Sequence, residues 1–377
     1  MKRYLFTPGP TMVPAEVLLA EATPMIHHRT PQFSRILREV TDGMKELFGT
    51  AQDVYIIAGS GTAAMEAAVV NTCSAGDKAI CAVGGKFGER WAELCETYGC
   101  KVKTIDIEWG KSLTVRQTEA ALKEVPDARV FCVTHSETST GAYTDVAAIA
   151  ALTRKTNTLL LVDGITSVGI YPIRMDAWGV DIMVTGSQKG CMLPPGLAFL
   201  AVSPRTWQAV DACRTPRYYL DIRPMRKELE EKTTTPFTPA ISLIQALHCA
   251  QRMLREEGLD NVFARHARLA EAARAAMTAI GLKLVAEHPV NGVTAVWAPE
   301  GINTGKMTKK MRDEWGVTIA AGQGDAKNRM FRIGHMGYVS AEDMLVAVSS
   351  VERALKEFGY EFEFGAGVAA AHRVLFG

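Results

Sequence analysis

A lysine stands in an unusual place in residues 184–196, which read VTGSQKGCMLPPG. Lys189 directly follows the apolar stretch DIMVTG and lies between Gly186 and Gly190. Lysine normally stays solvated, because burial of its ammonium group is costly. A lysine amine held in a secluded pocket can instead act as a nucleophile or as a general base. The residues alone leave a lysine on a surface loop as the alternative.

Polar residues also follow three other short apolar stretches. Ser60, Gly61 and Thr62 follow DVYIIAG, and a helix that begins there would offer free backbone N–H groups to a phosphate. The cluster HSETSTG, which contains Thr138, follows RVFCVT, and Asp163 follows TLLLV. A tight turn, a capped loop and a helix-capping aspartate are the respective structural alternatives. The glycine pattern in GSGTAA also fits a dinucleotide site, but no acid follows the next strand, KAICAV, as that site requires.

The segments that would position these residues alternate over about the first 250 residues. Short and almost wholly apolar segments, such as KAICAV and LAFLAVS, are typical of strands that are buried on both faces. Amphipathic or alanine-rich segments between them predict helices. The alternation predicts an α/β fold whose large domain has a mainly parallel sheet flanked by helices. Since ligands bind at the carboxyl ends of such strands, we expect the four strand ends to form one site.

The last third of the chain has a different pattern. Two long helical segments precede four strand-like pieces, LKLVA, GVTAVWAP, GVTIAAG and MFRIGH, and a helix follows near AEDMLVAVSSVERALKEFG. We therefore expect an N-terminal arm at residues 1–14, a large domain at 15–255 and a smaller α+β domain at 256–377. The tail FGAGVAAAHRVLFG gives no prediction.

Composition excludes several classes of protein. Of the 377 residues 47% are hydrophobic and 22% charged, and the formal net charge of +1 gives no reason to expect nucleic acid or an anionic membrane as a partner. No apolar run approaches the roughly 20 residues that span a bilayer, and we expect no secretory signal. The eight cysteines are scattered along the sequence without metal-ligand spacing. We expect no metal site, no disulfide framework and a cytoplasmic location.

Together the motifs resemble the class V aminotransferases of pyridoxal phosphate (PLP) fold type I, in the alanine–glyoxylate, serine–glyoxylate and serine–pyruvate group. The resemblance runs from TPGP through GSGTAAMEA, THSETSTG, LLLVDGITSVG and TGSQKG to FRIGHMG. It implies pyridoxal 5'-phosphate as cofactor and a homodimer with shared active sites. It also implies ping-pong transfer of an amino group from a small amino acid, alanine or serine, to a 2-oxo acid, glyoxylate or pyruvate.

The resemblance assigns roles to the residues at the strand ends. Lys189 would form the Schiff base with the cofactor, and Asp163 would keep the ring nitrogen protonated. The other cofactor ligands that it implies are Ser60, Gly61 and Thr62 around the phosphate, Gln188 beside them, Thr138 near the phenolic oxygen and Phe87 against the ring. An ordinary packing role is the alternative for Phe87.

Residues outside these strand ends would complete the site. Arg332 in FRIGHMG would bind the substrate carboxylate, with a bare surface arginine as the alternative. His28 would line the substrate entrance unless its role is structural, and Arg29 is a candidate for a distal carboxylate. In the segment TTTPFTP, Thr238 would reach the phosphate of the partner subunit, with Thr235 as the alternative.

Two other functions compete with this interpretation. A cysteine desulfurase of the same fold needs a nucleophilic cysteine late in the chain, whereas the last cysteine is Cys249 and Cys191 lies on the wrong loop. A non-catalytic accessory subunit would be expected to have lost its site, yet Lys189, Asp163 and Arg332 are all present.

Overall fold

Thirteen strands and fourteen α-helices make up residues 2–377, the part of the chain that the computed structural model describes. The strands are β1 (Tyr4–Phe6), β2 (Val54–Gly59), β3 (Lys78–Val83), β4 (Lys101–Asp106), β5 (Val130–Thr134), β6 (Ser136–Glu137), β7 (Ala142–Tyr143), β8 (Leu159–Asp163), β9 (Ile182–Gly186), β10 (Gly196–Val202), β11 (Val293–Trp297), β12 (Val317–Ala321) and β13 (Met330–Gly334). The helices are α1 (Ala15–Glu21), α2 (Pro31–Phe48), α3 (Gly61–Thr72), α4 (Lys86–Thr97), α5 (Val115–Glu124), α6 (Val146–Thr153), α7 (Met175–Trp178), α8 (Thr206–Ala212), α9 (Ile222–Lys232), α10 (Ile241–Glu257), α11 (Leu259–Ala279), α12 (Thr304–Trp315), α13 (Ala341–Glu357) and α14 (Ala366–Phe376).

The larger sheet has seven strands in the order β2–β10–β9–β8–β5–β3–β4. Five neighbouring strands of this sheet run parallel, namely β9, β8, β5, β3 and β4, whereas β10 is antiparallel to both β9 and β2. Every residue of β5, β8 and β9 is buried, as their apolar sequences predict for strands that are covered on both faces. The predicted α/β fold with a mainly parallel sheet flanked by helices is therefore confirmed.

Local sequence signals set the bounds of the helices around this sheet. Helix α2 begins at Pro31, after Thr30 accepts a hydrogen bond from the backbone N–H of Phe33 at 3.3 Å. It ends where Gly49 adopts a left-handed conformation with φ of 59°. The sequence PQFSRILREVTDGMKELF at residues 31–48 has apolar residues at helical spacing and predicts this helix, which the structure confirms.

The smaller sheet has four strands in the order β1–β12–β13–β11. Strand β1 comes from the N-terminal arm and pairs in parallel with β12, whereas the other two pairs are antiparallel. Phe6 of β1 joins Phe331 and Val348 in an apolar core that is separate from the core of the large sheet. On this basis we propose that the chain divides into domains at residues 15–255 and 256–377, and that β1 of the arm packs with the second domain.

Two segments near the C-terminus differ from the sequence prediction. The prediction that LKLVA forms a strand is wrong, because Leu284 makes only an isolated bridge to Val296. Of the residues that follow, Val285 donates a backbone hydrogen bond to Ala295, whereas Glu287 donates one to Gly110. The tail forms α14, whose N-terminal amides donate to the buried Glu352. None of the described helices is long and apolar enough to cross a membrane.

Candidate active site

Lys189 is buried directly beyond the carboxyl end of β9, with 7% of its surface exposed. Its Nζ donates a hydrogen bond to the carbonyl oxygen of Pro8, so the N-terminal arm covers the amine. Gly9, at φ of 126°, lies so close that a Cβ there would overlap the lysine side chain. Burial lowers the pKa of Lys189 to about 8. The surface-loop alternative is wrong, and the amine is placed to act as a nucleophile or base.

Asp163 ends β8, the strand next to β9, and is 3% exposed. Its Oδ1 accepts a hydrogen bond from the backbone N–H of Ile165 at 2.8 Å and so caps a turn rather than a helix. Burial raises the pKa of Asp163 to about 7, while the charge of Lys189 opposes that rise. A buried carboxylate of this kind is stabilised when a cation binds beside it.

The start of α3 meets the loop that carries Gln188. The side chain of Ser60 caps none of the helix amides, and Gly61 at the first position is buried. Gly186 lies so close that a Cβ there would be 3.3 Å from the backbone nitrogen of Gly61 and 3.2 Å from Oε1 of Gln188. Among the described residues, this buried oxygen of Gln188 has no hydrogen-bond partner. A helix N-terminus with free amides suits an anion such as phosphate, whereas the unused oxygen of Gln188 is an acceptor and needs a donor.

Arg90 is a site residue that the sequence reasoning missed. It donates from Nη1 to Oγ1 of Thr62 at 3.2 Å, and its guanidinium lies 4.8 Å from the centre of the Phe87 ring. Its charge also acts on the pKa values of both Asp163 and Lys189. The spacing of three residues from Phe87 on one helix face was the signal that could have found it.

Glu137 is the second residue that was missed, although it lies in the cluster HSETSTG. Its buried carboxylate accepts hydrogen bonds from the backbone N–H groups of Ser139 at 3.0 Å, Gly88 at 3.1 Å and Phe87 at 3.2 Å. It therefore holds the first turn of α4 and the backbone of Phe87 in place. The acid itself, in a polar cluster after a buried strand, was the available signal.

Arg332 reaches this site from β13 of the smaller sheet and is 5% exposed. Its Nη1 donates to the carbonyl oxygen of Thr138 at 3.0 Å, and its Nε and Nη2 donate to that of Ala321 at 3.3 and 2.9 Å. A guanidinium has five N–H donors, so one remains on each terminal nitrogen for a carboxylate. Burial lowers the pKa of Arg332 to about 10. The surface-arginine alternative is wrong.

Thr138 links the strand-end cluster to the next turn. Its Oγ1 is 3.0 Å from Oγ1 of Thr166, which in turn donates to the carbonyl oxygen of Ser136 at 2.7 Å. The carbonyl of Thr138 is the acceptor for Arg332 described above. One loop residue therefore contacts elements of both sheets, and its hydroxyl is held inside the site.

The remaining predicted residues lie in the segments that precede α2 and α10. Arg29 donates to Oγ1 of Thr234 at 3.1 Å and lies 3.8 Å from a carboxylate oxygen of Glu228. Its neighbour His28 is half-buried, and Thr238 is exposed. No hydrogen bond or ion pair within residues 2–377 joins these side chains to Lys189. Their roles at the substrate entrance and at the phosphate of a partner subunit therefore stay predictions.

The chain is similar to known proteins in both sequence and structure. A family model described as class-V aminotransferase matches residues 3–345. The chain is 44% identical to the small subunit of a soluble hydrogenase from Synechococcus sp., over 99% of this chain and 98% of that protein. It is 39% identical to an L-aspartate–glyoxylate aminotransferase from Paracoccus denitrificans, over 97% and 94%. The crystal structure of an alanine–glyoxylate aminotransferase from Nostoc sp. superposes with a TM-score of 0.91 at 31% identity, covering 94% of this chain and 96% of that one.

Proposed function

The chain belongs to the class V aminotransferase family, and from that premise we propose that it transfers the amino group of alanine or serine to a 2-oxo acid such as glyoxylate. The observation that carries the proposal is the convergence of Lys189, Asp163 and Arg332. The buried carboxylate lies on β8, the guanidinium with two unused donors lies on β13, and the buried amine lies just beyond the end of β9. This set serves a reaction in which a proton moves at a carbon next to a carboxylate.

The residues of the site fit pyridoxal 5'-phosphate as cofactor. The absence of a side chain on Gly186 leaves the backbone nitrogen of Gly61 uncovered at the start of α3, and Gln188 would donate to the phosphate from its amide nitrogen. Asp163 gives the carboxylate that such a cofactor needs for its ring nitrogen, and Lys189 the amine that its aldehyde needs. When bound, the cofactor stores the electrons that remain when the α-proton leaves the substrate.

Each remaining part of the cofactor has a proposed partner in this chain. Phe87, with its backbone fixed by Glu137, would lie against the ring, and Thr138 would bind the phenolic oxygen. Arg90 adds positive charge beside Thr62 at the phosphate end. The residues that we propose for the phosphate itself are Ser60, Gly61, Thr62 and Gln188.

Lys189 would move the proton in the reaction. Because burial lowers its pKa to about 8, Nζ gives up its proton far more readily near neutral pH than an ordinary lysine amine does. The neutral amine can take up the proton that leaves the α-carbon of the substrate and release it later. The arm residues Pro8 and Gly9 lie against this amine and help to exclude water from it.

Arg332 would bind the carboxylate that every amino-acid and 2-oxo-acid substrate shares. Both substrates would then occupy the same place in turn, which is the basis of ping-pong kinetics. Arg29 is the other arginine considered for a distal carboxylate, but it is engaged by Thr234 and Glu228. We therefore propose small uncharged donors in preference to aspartate.

A donor–acceptor screen on the purified protein with bound cofactor tests this proposal. Alanine, serine and aspartate would each be paired with glyoxylate and with pyruvate, and kcat/KM would be measured for every pair. We expect alanine or serine to give the highest values. If aspartate is the best donor, the assignment of the donor is wrong and Arg29 becomes the candidate for its distal carboxylate.

We also propose a homodimer in which Thr238, or alternatively Thr235, reaches the partner's phosphate site. Tyr218, with 81% of its surface exposed, lies 5.5 Å from the Phe237 ring, measured between centroids. Tyr219, 43% exposed, lies 5.6 Å from the same ring. An exposed aromatic group of this size suits a subunit contact. The cytoplasmic location stays a prediction.

A non-catalytic accessory subunit is the alternative that must be tested directly. It predicts an eroded site, whereas the three residues that carry the proposal are present and buried. Purified protein that is colourless after incubation with the cofactor, and inactive with every substrate pair, would favour the accessory role. A visible absorbance band together with turnover would exclude it.

A further inference from the structure

Three cysteine side chains converge inside the large domain, outside the site described above. Cys81 on β3, Cys132 on β5 and Cys95 on α4 place their Sγ atoms within 4.8 Å of one another. Cys81 and Cys132 are direct partners in the parallel pair of these strands. All three residues have no exposed surface. We call this group the thiol trio.

Cys100 is the cysteine next to the thiol trio on the side of the surface. It is 9% exposed, and its backbone N–H donates a hydrogen bond to the carbonyl oxygen of Cys95 at 2.9 Å.

The atoms of the thiol trio determine which ion suits it. Soft sulfur ligands select soft ions such as Cu(I), and within residues 2–377 the group that could hold a metal contains sulfur alone. Structural zinc is almost always bound by four ligands, one more than the trio supplies. Three sulfurs that surround an ion at bonds of about 2.3 Å are roughly 4 Å apart. The three Sγ atoms of the trio lie within 4.8 Å of one another, which is compatible with that spacing.

Ion binding at the thiol trio is coupled to proton release. Thiolates rather than thiols bind metal ions, so each sulfur that binds the ion loses its proton to solvent.

We propose that Cys81, Cys95 and Cys132 form a three-coordinate binding site for Cu(I). The site is independent of the proposed transamination, because its residues lie outside the set that would contact cofactor or substrate. The competing explanation is that the three cysteines serve only as small apolar packing residues.

Anaerobic titration of the purified protein, with cofactor bound, by Cu(I) in the presence of the chelator bicinchoninate tests the proposal. We expect one Cu(I) per chain to be held against the chelator, with a new near-ultraviolet absorbance from sulfur–copper bonds. Cys95→Ala and Cys132→Ala should each weaken the affinity at least tenfold. Cys249→Ala, a cysteine on α10 outside the group, is the matched control and should bind as the wild type does.

A second measurement needs no variant and so does not depend on the folding of a substituted core. Cu(I) that binds only the native state should raise the midpoint of thermal unfolding of the wild-type protein. No rise, loss of all Cu(I) to the chelator, or preferential retention of Zn(II) would each overturn the proposal. So would a folded Cys95→Ala protein that binds Cu(I) with wild-type affinity.

Discussion

Replacement of Arg332 by alanine should weaken catalysis with every substrate to a similar degree. In the structure the guanidinium is fixed by the carbonyl oxygens of Thr138 and Ala321, which leaves one N–H on each terminal nitrogen for a carboxylate. That carboxylate is the group shared by all amino-acid and 2-oxo-acid substrates. The fall in kcat/KM when this carboxylate loses its partner should therefore not depend on the side chain of the substrate.

The size of the effect follows from the burial of Arg332. Removing one partner of a buried charged pair costs roughly 2–5 kcal/mol, because the other charge is left unpaired. Since about 1.4 kcal/mol is a factor of ten, kcat/KM should fall by about 30-fold to roughly 4,000-fold. The two backbone carbonyls also lose their donors, so the free energy of unfolding should drop by about 1–3 kcal/mol.

Steady-state kinetics with alanine, serine, glyoxylate and pyruvate would measure this loss. The visible spectrum of the bound cofactor should barely change, and it reports whether the site is still assembled. Arg329→Ala is the matched control, because Arg329 immediately precedes β13 but is exposed and donates to the carbonyl oxygen of Asp325 at 2.6 Å. Arg332→Lys keeps the charge without the two-pronged geometry and should lie between wild type and alanine.

Two results would refute the reasoning about Arg332. A loss confined to one substrate would show that the arginine binds a side chain rather than the shared carboxylate. An equal loss in Arg329→Ala would show that the effect comes from charge or from disturbance of the sheet rather than from the proposed contact.

Three other predictions test the remaining parts of the site. Lys189→Ala should abolish both the visible absorbance of bound cofactor and nearly all turnover, and an unchanged spectrum with unchanged activity would disprove its role. Asp163→Asn should leave cofactor attachment intact but slow the half-reaction strongly; in cofactor-free protein it should also remove a pH dependence of stability. Burial raises the pKa of Asp163 from near 3.8 to about 7, so the folded state holds this proton more tightly than the unfolded state does. The free energy of unfolding should therefore fall as pH rises between these values. Thermal unfolding of Asp163→Asn should lack this dependence on pH. Sedimentation should show a homodimer, and a monomer that binds the cofactor tightly would contradict the role of Thr238.

The fold and the centre of the site could be predicted because both follow from local patterns. Short apolar strands that alternate with helices predict a parallel sheet, and parallel strands place their carboxyl ends at one edge. Asp163 and Lys189 therefore came together as expected, from the neighbouring strands β8 and β9. Helix α2 matched its predicted bounds, since a capping threonine, a proline and a final glycine mark them in the sequence.

The contacts that the sequence did not reveal are those made between distant elements. Arg332 meets the carbonyl of Thr138 although 194 positions separate them, and no local pattern encodes an approach of the two sheets. Arg90 and Glu137 were missed for the same reason, since each acts on the start of α3 or α4 from another element. For LKLVA the local pattern was misleading, because an apolar run predicted a strand that the structure does not form. Leu284 makes only an isolated bridge, and the backbone hydrogen bonds around it go to different segments of the chain.

The cysteines show most clearly what spacing in sequence conceals. Positions 81, 95 and 132 have none of the short repeats that mark metal ligands, and the sequence led us to expect no metal site. In the fold, β3 and β5 are neighbours and α4 packs against both, so the three thiols meet. Sheet order, rather than sequence distance, decides which side chains can share an ion.

The charges of the site also explain why ligand binding and stability should be coupled. Burial raises the pKa values of Asp163 and Glu137 and lowers those of Lys189 and Arg332, so each group is shifted toward its neutral form. Such shifts mean that the charged forms are destabilised in the protein alone.

With Arg90 the site has three bases and two acids, which favours anionic ligands over neutral or cationic ones. An anion that binds there relieves the excess positive charge and stabilises the folded state by mass action. Arg332, which we propose for the substrate carboxylate, is thus also a group whose charged form is destabilised in the protein alone, so a carboxylate that binds there should raise the unfolding temperature.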